Sequence, residues 1–357
     1  MRDVVALTTV ALLPFACFAR LVLPHQRVNE MCPRFVHVIV NPGQGAGHLF
    51  ADILFGIYLA NKIDATYVFD DVLYSPTFNT IHGTYPGFFE YLNMADNEHL
   101  LSQVKALPYL TKINATWEEA LRIKDCNTVM SVKSKSCLHK MPNGTVIPDF
   151  CTHSLAGSFQ SVQHAVKYKF LYSRRRKLLQ RTMPLAFRGV GAYNIAWHIR
   201  SGDIHLHQDD RLFFLNICDT IKRALDLIQI TGSHYIFCEH CEHGAPKGYE
   251  FLANVGDFTF VGGQTLVETL HNFVNADLVV ETGSSMTAVV HAITGDPVFV
   301  SSCPKEGCHV QTYDIDTLVK FDDQTGRFSM SHRELASLIA YKRTIKRQRR
   351  QLSTRSM

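Results

Sequence analysis

Phe35-Val36-His37-Val38-Ile39-Val40, followed by Asn41-Pro42-Gly43-Gln44-Gly45-Ala46-Gly47, decides the fold class. The first six residues are nearly all apolar and rich in β-branched side chains, as a strand buried on both faces requires. A proline and three glycines break that run, and from His48 to Lys62 the apolar residues recur at helical spacing. Strand, glycine turn and helix make the opening unit of a nucleotide-binding α/β domain. A second strand over Ala65–Phe69 ends in Asp70-Asp71.

Outward from this unit, Tyr74 to about Phe150 is irregular, with frequent Pro, Gly and Asn, and reads as loops and short elements laid over the first domain. Gln160 to Met183 reads as a long basic helix containing Arg174-Arg175-Arg176-Lys177, a charge run that usually faces solvent. After Pro184 the alternation is regular. Strands over Tyr193–Ile199, Tyr235–Cys238, Phe258–Val261, Leu278–Glu281 and Val298–Ser301 alternate with helices over Asp210–Ile230, Leu266–Asn275 and Ser285–Thr294. Strands that alternate with helices imply a parallel sheet covered on both faces. The expectation is an α/β protein of two Rossmann-like domains facing each other, with predominantly parallel sheets. We divide the chain into a leader (1–24), an N-terminal α/β domain (34–185), a C-terminal α/β domain (186–330), and a C-terminal helix with a basic tail (331–357).

A length of 357 residues exceeds what one hydrophobic core usually covers, which agrees with two domains. The formal charge of +4 is a property of the tail: from Lys342 onward there are seven Lys/Arg and no acid, leaving 29 basic against 32 acidic residues elsewhere. A duplex-binding protein carries its positive charge on a folded face, so nucleic acid is excluded as a partner. The tail itself is expected to continue a helix from near Ser331 and then fray into solvent.

Met1-Arg2-Asp3 precedes an apolar run from Val4 to Ala19, closed by Arg20. The run has signal-peptide length; with Leu21–Leu23 and a snorkelling Arg20 it approaches the roughly 20 residues that span a bilayer. A cleaved signal and an uncleaved signal-anchor that would hold the protein at the membrane both remain open. Either delivers the body to an oxidising lumen of the endoplasmic reticulum or Golgi, as a secreted or type II membrane protein. Asn114-Ala115-Thr116 and Asn143-Gly144-Thr145 are glycosylation sequons, and the ten cysteines suit disulfide formation there. Some pairing is expected among Cys126, Cys137, Cys151, Cys303 and Cys308, without a defined connectivity.

Ligands of parallel α/β sheets bind at the carboxyl ends of strands, where helix N-termini present free N–H groups to an anion. Two segments fall there. In Ala196-Trp197-His198-Ile199-Arg200-Ser201-Gly202-Asp203, Arg200 can fork two donors onto a phosphate and Gly202 admits close backbone approach. Asp277-Leu278-Val279-Val280-Glu281-Thr282-Gly283-Ser284-Ser285 is a buried strand, a glycine turn and paired hydroxyls at the mouth of a helix, the composition of an anion cradle.

These segments, in this order, resemble the motifs shared by the α1,2-, α1,6- and protein O-fucosyltransferases, and Gly43-Gln44-Gly45-Ala46-Gly47-His48 resembles the glycine-rich loop near their N-termini. The resemblance implies the GT-B fold, GDP-fucose as donor, inversion at the sugar carbon, a glycan or glycoprotein acceptor, and no cofactor or obligatory metal. By position, Arg200 would contact the diphosphate, and Ser284 and Ser285 would hold phosphate through helix-end amides. Gly45, Gly47, His198, Gly202, Asp203, Glu239, Glu281 and Gly283 would complete the donor site. The sequence departs from the family at Gly47-His48, where an Asn commonly precedes the helix, and matches only loosely at Glu239.

Inverting transfer needs a held acceptor hydroxyl, a proton acceptor and positive charge on the departing diphosphate. Asp203 is the first candidate for the base, with His48, Glu239 and Glu281 behind it; His48 joins Arg200 and Asp203 as a candidate catalytic residue. Cys238-Glu239-His240-Cys241 also admits zinc or redox chemistry, but without a second such pair a disulfide or plain turn is the stronger expectation. Two further readings stay open: a GT-B transferase of another nucleotide sugar, and a non-catalytic glycan-binding member.

Overall fold

The computed structural model describes residues 31–40, 45–74, 79–80, 83–84, 87–94, 99–133, 162, 166–167, 169–170, 177–178, 181–187, 192–199, 210–238, 241–246, 248–254, 257–281, 285–294, 296–301, 318–322 and 327–355. The chain begins as the sequence predicts. Strand β1 (Arg34–Ile39) leads across the glycine-rich segment into helix α1 (Ala46–Lys62), then β2 (Thr66–Tyr67). A small hairpin, β3 (Asn79–Thr80) and β4 (Gly83–Thr84), precedes helices α2 (Phe88–Leu92) and α3 (Leu101–Lys105). Strand β5 (Thr111–Ala115), helix α4 (Trp117–Ala120) and strand β6 (Thr128–Lys133) follow. The first sheet has the order β2-β1-β6-β5 and is parallel throughout.

The reading of residues 74–150 as overlying loops is therefore corrected: β6 lies in the middle of the sheet, paired with β1 along its whole length. Its polar Thr128, Ser131 and Lys133, and the single short turn of α4 in place of a full crossover helix, hide the strand–helix rhythm. Helix α1 comes close enough to the sheet that a Cβ on Gly56 would overlap the Tyr67 ring and Val38, so glycine is required there by space. Cys32 and Cys126, just ahead of the neighbouring strands β1 and β6, form a disulfide with Cα atoms 4.6 Å apart. Cys137, Cys151, Cys303 and Cys308 lie outside the described residues, as does the leader. No helix among the described residues is long and apolar enough to cross a membrane.

The second sheet runs β13-β12-β11-β10-β7-β8-β9. Its strands are β7 (Tyr193–His198), β8 (Gly232–Phe237), β9 (Phe258–Val261), β10 (Leu278–Glu281), β11 (Val298–Ser301), β12 (Leu318–Asp322) and β13 (Arg327–Phe328). All pairs are parallel except the terminal one between β12 and β13, two strands the sequence reading did not anticipate. Helices α5 (Asp210–Leu227), α6 (Leu266–Asn275), α7 (Ser285–Ile293) and α8 (His332–Arg355) accompany this sheet among the described residues.

Residues alternate between the two faces of this sheet. Ile195, Trp197, Ile236, Val280 and Val300 pack under α5 and α8. Ala196, Tyr235, Phe237, Val279 and Phe299 face α6 and α7, and that layer continues without interruption into α1, α2 and the first sheet. The two sheets thus share one apolar interior. Tyr91 of α2 and His271 of α6, both buried, meet across it at 3.1 Å between the hydroxyl and Nδ1.

The tail also departs from expectation. Helix α8 runs to Arg355, and Lys346 Nζ donates to Asp277 Oδ1 at 2.7 Å and to the carbonyls of Asn275 and Ala276 at 3.1 Å each.

Candidate active site

In chain order β8 and β9 extend the second sheet on one side of β7, and β10 and β11 extend it on the other. The topological switch therefore falls between β7 and β10, and the crevice outside their carboxyl ends is where such sheets take ligands. His198, the last residue of β7, pairs with Glu281, the last of β10. Parallel neighbours lie roughly 4.8 Å apart, so the segments that leave these two strands start side by side. They are the two motifs singled out in the sequence.

Several interactions fix that register. Trp197 is fully buried, stacks on Phe214 at 5.7 Å, and donates from Nε1 to His234 Nδ1 at 3.0 Å. Burial drives the His234 pKa down to about 4, which leaves Nδ1 free to accept. At the amino ends, Asp277 Oδ2 accepts from the Asn194 amide at 2.9 Å and the Tyr193 hydroxyl donates to the Asp277 carbonyl at 3.2 Å. Burial, then the Asp277 charge, raise the Tyr193 hydroxyl well above its ordinary range, so it remains a donor. Asp277 belongs to the second motif by sequence, yet it clamps the far ends of the strands.

The helices that open at candidate anion sites differ from α6 and α8. Helix α1 starts at the Gly45 N-cap with no side-chain cap and no acid in its first turn, and α7, which begins four residues beyond Glu281, has no acid in its first turn either. Helices α6 and α8 each carry a glutamate that closes their own first turn, Glu268 on Thr265 and Glu334 on Ser331. Helix starts without a carboxylate keep their partial positive charge available to an anion.

Among the remaining candidates, Gly47 is buried in the first turn of α1 and His48 follows it. The His198 ring meets Phe273 edge to face at 5.7 Å. Glu281 and Ser285 are placed by their backbones, as the last residue of β10 and the first of α7. Arg200, Gly202, Asp203, Glu239, Gly283, Ser284 and the sequon at Asn143 lie outside the described residues. Asn114 is exposed on the edge strand β5. Cys238 and Cys241 are joined as a disulfide directly after β8, which takes both sulfurs out of any zinc site. Gly262 allows that loop its place, because a Cβ there would strike the backbone of Cys241 and Glu242. Among the described residues no other His, Cys, Asp or Glu group could hold a metal.

The sequence reading missed one polar cluster in the first sheet. His37 Nε2 lies 3.1 Å from Asp70 Oδ2 and His37 Nδ1 lies 3.4 Å from Ser131 Oγ. Burial pushes the Asp70 carboxyl up, but the His37 hydrogen bond and the Val72 amide outweigh it and hold the net value below the usual carboxylate range. A histidine within an otherwise apolar strand, and paired aspartates at the end of the next, were the available signals.

The site is thus carried by a mixed α/β chain of two parallel Rossmann-like sheets. No protein-family model matches the sequence, and no curated protein matches it. In structure the chain is similar to a glycosyl transferase family 9 protein from Veillonella parvula DSM 2008, at 10% identity, 87% of this chain, 98% of that chain and a TM-score of 0.37. It is also similar to NodZ α-1,6-fucosyltransferase soaked with GDP-fucose, at 13% identity, 73% and 93% coverage and a TM-score of 0.36. A third is a mutant of Arabidopsis thaliana FUT1 in complex with GDP, at 11% identity, 84% and 74% coverage and a TM-score of 0.40. Identities and TM-scores this low leave the chemistry to be argued from the site itself.

Proposed function

We propose that the chain is a GT-B glycosyltransferase that moves fucose with inversion from GDP-fucose to a glycan or glycoprotein acceptor in the lumen of the secretory pathway. One observation carries the reading: the segments beginning at Ile199 and Thr282 leave adjacent strands at the topological switch point, the second running straight into a helix start with no acid in its first turn. A diphosphate set there would meet the Arg200 fork and the α7 amides together, the positive charge that a metal-free departure of GDP requires. The exposed Asn114 sequon and the Cys32–Cys126 and Cys238–Cys241 disulfides suit a lumenal protein.

Calorimetric titration with GDP-fucose, GDP-mannose and UDP-sugars tests the donor. Tight binding of GDP-fucose alone is expected, equal binding of another sugar would redirect the donor assignment, and no binding would end the transferase reading. For Arg200→Lys, which keeps the charge but loses the fork, GDP release should fall by about a hundredfold or more. Wild-type turnover in that variant would remove Arg200 from the phosphate.

A further inference from the structure

The first sheet carries a polar row that the donor site does not use. His37, Ser131 and Asn114 are register partners across β1, β6 and β5, on the face that Phe35 and Val129 share with Leu101 and Val104 of α3. The apolar pair is covered by α3, and the polar row lies one pleat nearer the carboxyl ends, two residues before β1 gives way to the glycine-rich segment. Exposure is graded along it: the His37 side chain is 7% exposed, Ser131 is half-buried and Asn114 is open to solvent.

The hydrogen bonds set a direction for the protons. Asp70 is held ionised and can only accept, so the proton of the neutral imidazole sits on Nε2. Nδ1 is then the acceptor, and the Ser131 hydroxyl donates to it. An aspartate, a buried histidine and a more exposed serine in line make a path along which a proton travels inward. Ser131 is poorly built to be a nucleophile, because β6 is paired on both sides and its amides are spent in the ladder instead of forming an oxyanion site.

We propose that Ser131, His37 and Asp70 form the proton relay that deprotonates the acceptor hydroxyl, with Ser131 the group that meets it; the assignment rests on the transferase reading above. The acceptor proton passes to Ser131 Oγ as the Ser131 proton passes to His37 Nδ1. The freed acceptor oxygen forms its bond to the sugar carbon while the bond to the diphosphate breaks, and the diphosphate leaves with the electron pair. Asp70 stabilises the imidazolium, which returns its proton to water by the same path. Ser131 is the catalytic residue of the set, and His37 and Asp70 act through it.

Nitrogen-15 NMR of histidine-labelled protein, with hydrolysis of GDP-fucose in water and GDP-fucose titration on the same samples, tests the relay. His37 should appear as the Nε2–H tautomer, and an Nδ1–H tautomer would overturn the proposal whatever the donor proves to be. Ser131→Ala should lower kcat for hydrolysis about a hundredfold with GDP-fucose affinity unchanged, and Ser131→Thr, which returns a hydroxyl in a residue suited to a strand, should restore most of it. Wild-type kcat in Ser131→Ala, or a loss that Ser131→Thr does not relieve, sinks the relay. Failure of the wild-type protein to bind any nucleotide sugar sinks the transferase reading instead, so the two failures are told apart.

Discussion

Trp197 and His234 form the pair on which the geometry of the donor-side strands depends most directly. The indole N–H donates to one partner, His234 Nδ1, and that nitrogen can accept only while the ring is neutral. The folded pKa of about 4 lies below the unfolded value near 6.5. The pair's stability is therefore complete above about pH 6.5 and is lost progressively as the pH falls toward 4, because the unfolded chain takes up the proton first. A difference of this size corresponds to about 3 kcal/mol. Urea unfolding at pH 7.5 and 4.5 should show a loss of that order, and His234→Gln should flatten the dependence; an equally steep curve in that variant would place the acid sensitivity elsewhere.

Among the elements, helix α8 shows how a basic run can be structural. Lys346 lies on a segment whose composition suggests a solvated tail, yet it reaches the amino end of β10 and holds a carboxylate and two carbonyls. With both side chains 18% exposed, Lys346→Met should cost about 1–2 kcal/mol after screening, read as a lower denaturation midpoint. An unchanged midpoint would mean that α8 is held by its apolar face alone. The sequence could not show this contact, because it joins residues 69 apart in the chain. It did show β9, α6, β10 and β11 with their observed bounds, since each is short, strongly apolar on the buried side and bounded by Gly, Pro or a capping Thr. It missed β6 because Ser131 and Lys133 dilute the apolar run, and Ser131 owes its place to the same polar row that makes it chemically interesting. The motifs at Arg200 and Ser285 were legible as strand-end segments; that they leave adjacent strands became visible only from the pairing of His198 with Glu281.

In the molecule as a whole, the sheets are joined by a continuous apolar layer, with Tyr91 and His271 at the seam. Periodicity predicts which residues are buried and not against what, so a sequence that reads as two domains gave no sign that α1 would pack on α7 and share a core with it. The Cys32–Cys126 bond closes a loop with a sequence separation of 94 before either β1 or β6 begins. In chain-entropy terms such a tether stabilises on the order of 4 kcal/mol. Chemical unfolding of Cys32→Ser should show a loss of that size, and a loss below about 1 kcal/mol would mean that the sheet zips unaided. The clasp also ties folding to address: in a cell compartment that keeps thiols reduced, the same chain must bring β1 and β6 together by diffusion alone, and the yield of active protein becomes a gauge of where it was made.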